Sequence, residues 1–118
     1  MRQDVVVERL EFVKTQIRNA ERAFMGGGFI HAAHDVLDKF QISYSSHPTV
    51  LTAIRETRGA ITEFLKTKIN ARLDGESGNH HPVAVWHAFN RMEQSIRLIS
   101  VGDPREAANR SGRLTVAA

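Results

Sequence analysis

Apolar residues recur along this sequence at alternating intervals of four and three positions. The first segment shows the spacing without a break, in Val6, Leu10, Val13, Ile17, Ala20 and Phe24. Because an α-helix has 3.6 residues per turn, this spacing places all six on one side of a helix. A half-buried strand would need apolar residues at every second position, and no segment shows that alternation as well. The chain is therefore predicted to be all-α.

The same spacing and its interruptions divide the chain into four predicted helices, at about residues 3–25, 29–43, 49–74 and 82–101. Three successive glycines, Gly26 to Gly28, end the first helix, because glycine disfavours helix and supplies left-handed conformations for a cap. Pro48 and Pro82 each suit the first turn of the helix that follows. Four amphipathic helices in one short chain predict a single four-helix bundle-like domain.

Each of the other three helices also has an apolar face that we expect to be buried. These faces are Phe29, Ala33, Val36, Leu37 and Phe40 in the second helix, Val50, Leu51, Ile54, Ile61, Leu65 and Ile69 in the third, and Val85, Phe89, Met92, Ile96 and Ile99 in the fourth. The third helix is interrupted by Gly59 next to Ala60, and a glycine inside a helix lowers its stability. We expect a neighbouring helix to approach closely there and to compensate for that loss.

The length of 118 residues suits one helical domain at residues 1–104, followed by a C-terminal tail at 105–118. The tail has only Leu114 and Val116 as sizeable apolar residues. Other apolar residues lie outside the main stripes, namely Val5, Phe12, Tyr44, Phe64, Leu98 and Val101. A domain of this size buries only about two-thirds of its unfolded surface. We therefore expect some of these residues to be buried between copies, in a homodimer or a higher oligomer.

The composition and the motifs exclude several classes of function. The chain has no cysteine, which rules out disulfides, thiolate metal sites and a cysteine nucleophile. No apolar run approaches the roughly 20 residues that span a bilayer, and Asp4 and Glu8 stand where a secretory leader would be apolar. We expect a cytoplasmic protein with no membrane partner. Neither a nucleophile elbow nor a phosphate-binding P-loop is present, so we expect no enzymatic activity and no cofactor.

Basic residues form short stripes on two of the predicted helices. Lys14, Arg18 and Arg22 recur every four residues on the first helix, and Arg55 and Arg58 share part of a face on the third. Like charges at this spacing repel weakly, and an anionic ligand would offset the repulsion. Neutralisation by nearby glutamates is the alternative, since the net charge is only +3 and acidic residues are interleaved with the basic ones.

Four polar residues on the second helix form a candidate metal site. His31, His34, Asp35 and Asp38 follow a spacing that places them on one face of the helix. Imidazole and carboxylate groups bind zinc, nickel or iron, and carboxylates also orient metal-binding histidines. One helix face rarely provides a complete coordination shell. A solvated polar face, or a contact with a partner, is therefore the preferred interpretation.

A second group of histidines surrounds the start of the fourth helix. His80 and His81 precede Pro82, and His87 lies within the helix, seven positions after His80. Free N–H groups at a helix N-terminus attract anions, and protonated histidines would strengthen that attraction. A phosphate or carboxylate pocket is the functional hypothesis, and a flexible loop with capping interactions is the alternative.

Residues 50–101 are predicted to form a helical hairpin with two short motifs. The first arm contains Thr-Ala-Ile-Arg-Glu at 52–56, and the second contains Ala-Phe-Asn-Arg-Met-Glu-Gln-Ser at 88–95. This hairpin resembles that of small phage proteins that sequester cyclic-nucleotide signals and so weaken bacterial defence. The resemblance implies an oligomer that binds its ligand between subunits. It covers less than half of the chain, and the family's Arg-Ala-Val positions after the second arm are not reproduced.

Taken together, these patterns predict a small, non-enzymatic helical interaction protein. We expect it to bind a protein partner through its helix faces as an adaptor, regulator or inhibitor, and to form a homo-oligomer. Compact, cysteine-free, basic helical chains of this kind are frequent among phage and mobile-element accessory factors. The alternative is an anion-binding module for nucleic acid or a cyclic nucleotide.

Overall fold

The computed structural model describes residues 3–76 and 81–100 of the 118-residue chain. These residues form four α-helices and no strand. The helices are α1 (Gln3–Arg22), α2 (Gly27–Ser43), α3 (Pro48–Leu73) and α4 (Val83–Ser100). This confirms the predicted all-α, four-helix bundle-like fold. The predicted tail at 105–118, with Leu114 and Val116, lies outside the described residues.

The core is formed by apolar faces from all four helices. Its members are Val6, Leu10, Val13, Ile17 and Ala20 of α1, Ile30, Ala33, Val36, Leu37 and Phe40 of α2, Val50, Ala53, Ile54, Ile61 and Phe64 of α3, Val85, Phe89, Met92 and Ile96 of α4, and Tyr44. Along the chain, α1 packs on α2, α2 on α3 and α3 on α4. An ion pair between Lys14 and Glu93 brings α1 beside α4 and closes the bundle.

The sixth residue of the α1 stripe does not belong to the core. Phe24 lies two residues beyond the end of α1 and is 64% exposed, so its predicted burial was wrong. The physical reason is the turn that follows. Gly26 has a φ of 88°, and a Cβ atom there would lie 3.0 Å from the carbonyl oxygen of Ala20. Gly27 already belongs to α2, so one glycine makes this turn where three were expected to.

The other three predicted faces also need correction. At the start of α2, Ile30 is buried and Phe29 is exposed. In α3, Leu51, Leu65 and Ile69 are only partly buried, and so is Ile99 in α4. The apolar spacing locates the centre of each face, but the neighbouring helices decide how far the buried region extends to either side of it.

The mid-helix glycine of α3 does not mark a close approach between helices. Gly59 is exposed, and a Cβ atom built on it would have no neighbouring heavy atom within 4 Å. The expectation that a neighbouring helix packs there was therefore wrong. The glycine instead leaves open space on the outside of the bundle, beside the start of α4.

A buried lysine joins α3 to the end of α1. Lys68 is 0% exposed, and its Nζ atom donates hydrogen bonds of 2.6 and 2.7 Å to the carbonyl oxygens of Ala20 and Glu21. These carbonyls lie in the last turn of α1, where no N–H of the same helix is available to them. Burial lowers the pKa of the Lys68 ammonium, and the neighbouring Arg72 lowers it further. Arg72 itself donates from Nε to the carbonyl oxygen of Phe24 at 2.8 Å.

Within the described residues, no helix combines the length and the apolar character that crossing a lipid bilayer requires.

Candidate functional site

Three depressions lie in a line along the outside of α3 and α4, on a surface that we call the outer α3–α4 face. The largest has a volume of about 700 Å³, and its walls include Gly59, Ala60 and Phe64 of α3 and residues 81–85 at the start of α4. A second, of about 300 Å³, lies beside the middle of both helices, where Thr52 and Ser95 contribute to its walls.

The third depression lies at the other end of the same face. It has a volume of about 260 Å³ and is lined by the start of α3, from Pro48 to Val50, and by Leu98 and Ile99 near the end of α4. At 1.5 Å per residue, the line from Pro48 to Thr67 is about 28 Å long. This is the length of a docked helix of about 19 residues.

Several of the residues that line the outer α3–α4 face are small. Gly59, Ala60 and Ala84 are among those that line the largest depression, and Ala53 and Ser95 are among those that line the middle one. Two apolar side chains protrude from the two ends of α4, since Val83 and Leu98 are each 59% exposed. The face therefore has apolar depressions and apolar protrusions at both of its ends.

The charges on this face are few and of both signs. Arg91 of α4 lies 3.5 Å from Glu56 of α3, next to the middle depression. Glu63 lines the largest depression, together with His81. A face with this balance has no strong attraction for polyanions such as nucleic acids.

The opposite edge of α4, where it meets α1, is filled by long cationic side chains. Lys14 lies 3.0 Å from Glu11 and 3.2 Å from Glu93, and its Nζ atom is 5.8 Å from the centre of the Phe89 ring. Arg18 lies 5.6 Å from the centre of the Trp86 ring. Hydrogen bonding to Glu11 raises the pKa of the Lys14 ammonium, and the same contact lowers the pKa of Glu11.

The five basic residues proposed to bind an anion do not form one site. Lys14 and Arg18 face α4, and Arg22 is exposed at the end of α1. Arg55 and Arg58 lie on the side of α3 that faces α2, where they line a depression of about 280 Å³ with Gln41 and Leu51. Arg58 also forms an ion pair with Asp38 of α2.

The polar stripe of α2 is divided between solvent and α3. His31 and Asp35 lie 3.9 Å apart and are largely exposed, whereas His34 Nε2 lies 3.4 Å from Thr62 Oγ1 and Asp38 pairs with Arg58. His34 Nδ1 is buried without a hydrogen-bond partner. Among residues 3–76 and 81–100, no group of three or more His, Asp or Glu side chains is positioned to hold a metal ion.

Burial lowers the pKa of the His34 imidazole, and the positive charge of Arg58 lowers it further. Asp38 and Asp35 act in the opposite direction but do not outweigh these effects. His34 therefore favours its neutral form in the folded protein.

The two described loop histidines lie in different environments. His81 Nδ1 is 3.2 Å from a carboxylate oxygen of Glu21, a contact that joins the start of α4 to the end of α1. His87 is exposed on α4, and His80 lies outside the described residues. His81 also borders the largest depression on the outer α3–α4 face.

Two features of the molecule were missed by sequence reasoning. Lys68 was not identified as buried, because a lysine at a core position of α3 is indistinguishable by spacing from one that faces solvent. The small residues around the largest depression were also missed as a group. Gly59 was the available signal, but it was interpreted as a contact between helices within the bundle.

Comparisons with models of protein families, with curated proteins and with solved structures found no match for this chain.

Proposed function

We propose that this protein is a non-enzymatic interaction module that binds a helical surface of a protein partner through the outer α3–α4 face. One observation carries the proposal, namely the alignment of three depressions along two adjacent helices. A groove between two helices that is apolar at both ends is a common way to receive the apolar side of another helix.

The shape and the charge of the face favour a protein over other ligands. A face about 28 Å long is longer than a small-molecule pocket. Nucleic-acid binding would need clustered lysine and arginine, and the charged residues here include both Glu56 and Arg91. Exposed apolar side chains such as Val83 and Leu98 gain stability when a partner excludes water from them.

Photo-cross-linking in the cells that naturally produce the protein tests this proposal. A photoreactive phenylalanine analogue at Thr52, next to the middle depression, is expected to form covalent adducts with protein. The matched control carries the same analogue at Lys39, which is exposed on the outside of α2. Adducts at Thr52 and none at Lys39 support the proposal, and equal labelling at both positions, or labelling at Lys39 alone, contradicts it.

A second candidate function is binding of a small phosphate-containing anion between α2 and α3. Arg55 and Arg58 line one depression there with Gln41, and Arg55 has no ion-pair partner within the described residues. Titration calorimetry with inorganic phosphate and with cyclic AMP tests it. Binding that disappears in Arg55→Gln and persists in Arg22→Gln supports this candidate, and absence of heat with both ligands contradicts it.

A further inference from the structure

We infer that the partner on the outer α3–α4 face is the same face of a second copy of this chain, related to the first by a two-fold axis. The inference rests on the proposed function, since it names the occupant of the same face. A two-fold interface uses one surface patch twice, so the patch must be complementary to itself. The arrangement of this face meets that requirement in its apolar ends and in its charges.

The apolar ends provide the first argument. Leu98 and Val83 protrude at the two ends of α4, 15 residues and therefore about 22 Å apart. The depressions of about 260 and 700 Å³ lie at the same two ends. When two copies of α4 lie antiparallel, Leu98 of each copy lies over the largest depression of the other. Val83 then lies over the depression beside Leu98 of the second copy.

The size of the two ends fits this arrangement. Gly59 lines the larger depression, and nothing else occupies the space where its Cβ would be. Leu98 is a protruding side chain of a size that such a space admits. Removing both apolar surfaces from water would stabilise the pair, and each contact occurs twice in a symmetric dimer.

The charges provide the second argument. In this antiparallel arrangement the two-fold axis passes near Arg91, which is midway between Ala84 and Leu98. Each copy then brings one Arg91–Glu56 pair, 3.5 Å apart, to the axis. The two positive and two negative charges cancel, so the centre of the interface carries no net charge.

Other described faces are less suitable for this role. The α1–α4 edge is occupied by Lys14 and Arg18, whose contacts lie within the chain. The outside of α2 carries His31 and Asp35, which are well exposed and polar. On the outer α3–α4 face, apolar depressions and apolar protrusions occur together at both ends.

Sedimentation equilibrium of the full chain tests the inference. The natural chain is expected to dimerise at micromolar concentrations. Leu98→Lys should raise the dissociation constant about 100-fold. Each lost Leu98 contact should weaken binding roughly tenfold, and the symmetric dimer has two such contacts. The variant should still fold, since Leu98 is exposed and a cation suits the last turn of a helix. Circular dichroism of the variant verifies this.

Three further variants make the test specific. Ile42→Lys makes the same change at an exposed apolar residue in the last turn of α2, and it should leave the dissociation constant within about twofold of the natural value. Val83→Glu alone should weaken the dimer. The double variant Val83→Glu with Leu98→Lys should bind at least about tenfold more tightly than either single variant at low salt, because the new charges face each other across the axis.

A natural chain that remains monomeric at 100 μM or above would overturn the inference. So would a dimer that Leu98→Lys leaves intact. If the natural chain stays monomeric but Thr52 forms adducts with a different protein, the proposed function stands and the second copy is not the partner. If Leu98→Lys leaves the dimer intact and Thr52 forms no adducts, both the proposed function and this inference are wrong.

Discussion

Helix α4 has two edges that are built from opposite kinds of side chain. Its edge against α1 is filled by Lys14 and Arg18, whose long side chains lie against the rings of Phe89 and Trp86. Its edge against α3 is bordered on the outside by Gly59, Ala60 and Ser95, and three depressions remain there. Long amphipathic side chains cover a seam between helices from within the same chain. Small residues are too short to cover such a seam, so it stays exposed on the surface of the single chain.

The same contrast explains where the positive charge of the protein is used. Lys14, Lys68 and Arg72 all bind carboxylates or carbonyl oxygens of the chain itself. These contacts connect α1 to α3 and α4. We call this set of contacts the cation-closed side. These three of the 16 basic residues therefore serve closure of the bundle.

The largest loss of stability is expected from replacing Lys68, the most buried cation of the cation-closed side. Lys68→Met should lower the free energy of unfolding by about 2–4 kcal/mol, because the buried carbonyl oxygen of Ala20 and the partly buried one of Glu21 would lose their donor. Urea denaturation measures this change. Lys66→Met removes an exposed lysine from the same helix and should change stability by less than about 0.5 kcal/mol. Equal effects from the two variants would show that Lys68 does not hold the end of α1.

A smaller effect is expected at the middle of the same side. Lys14→Met should destabilise the protein by about 1 kcal/mol, since it removes an ion pair with Glu93 and a contact with the Phe89 ring but keeps an apolar stem. The loss should shrink at high salt in parallel denaturation experiments, because part of it is a charge interaction. An increase in stability would contradict the assignment of Lys14 to closure of the α1–α4 edge.

A substitution on the outer α3–α4 face should raise the stability of the protein. Gly59→Ala is expected to raise the free energy of unfolding by about 0.5–1 kcal/mol, because alanine favours helix and its methyl group would meet no neighbouring atom within 4 Å. Thermal unfolding at a concentration low enough to keep the chain monomeric isolates this effect. A loss of stability would mean that a neighbouring helix does approach Gly59, and the outer α3–α4 face would then be closed.

The smallest expected effect concerns pH and the seam between α2 and α3. The pKa of His34 is lowered from 6.5 in the folded protein, so the unfolded chain binds the proton more readily. The contribution of His34 to stability is therefore complete above pH 6.5 and declines as the pH falls below that value. Arg58 and Asp38 both face the imidazole from this seam.

Urea denaturation between pH 7.5 and pH 5 measures this dependence. His34→Gln should lose part of the decline in stability, whereas His31→Gln, at an exposed position of the same helix, should keep it. Identical pH profiles for the two variants would contradict the assignment to His34.

The fold could be predicted from the sequence because the four-and-three spacing is a property of each helix alone. Helix boundaries followed from glycine and proline, and they shifted where the turn geometry mattered. Phe24 illustrates the limit, since it continues the spacing of α1 but lies beyond the end of that helix, just before the turn in which Gly26 packs against Ala20.

The candidate site could be predicted only in part. The sequence identified Leu98 as an apolar residue outside the predicted buried face of its helix, and Leu98 does border the outer α3–α4 face. The depressions themselves could not be anticipated, because they depend on which sides of α3 and α4 meet. The interpretation of Gly59 was wrong for the same reason. A glycine in a helix indicates missing volume, but the sequence does not say whether a neighbouring helix of the chain fills it.

The central claim is that two copies meet through their outer α3–α4 faces with an axis near Arg91. Because the chain has no cysteine, a single introduced cysteine reports on one position without interference. Arg91→Cys should form a disulfide-linked dimer rapidly under mild oxidation, since the two Cα atoms must lie within about 7 Å for a disulfide to close. Lys39→Cys, on the outside of α2, should remain unlinked under the same conditions. No linkage through position 91, or equal linkage through both positions, would contradict the account.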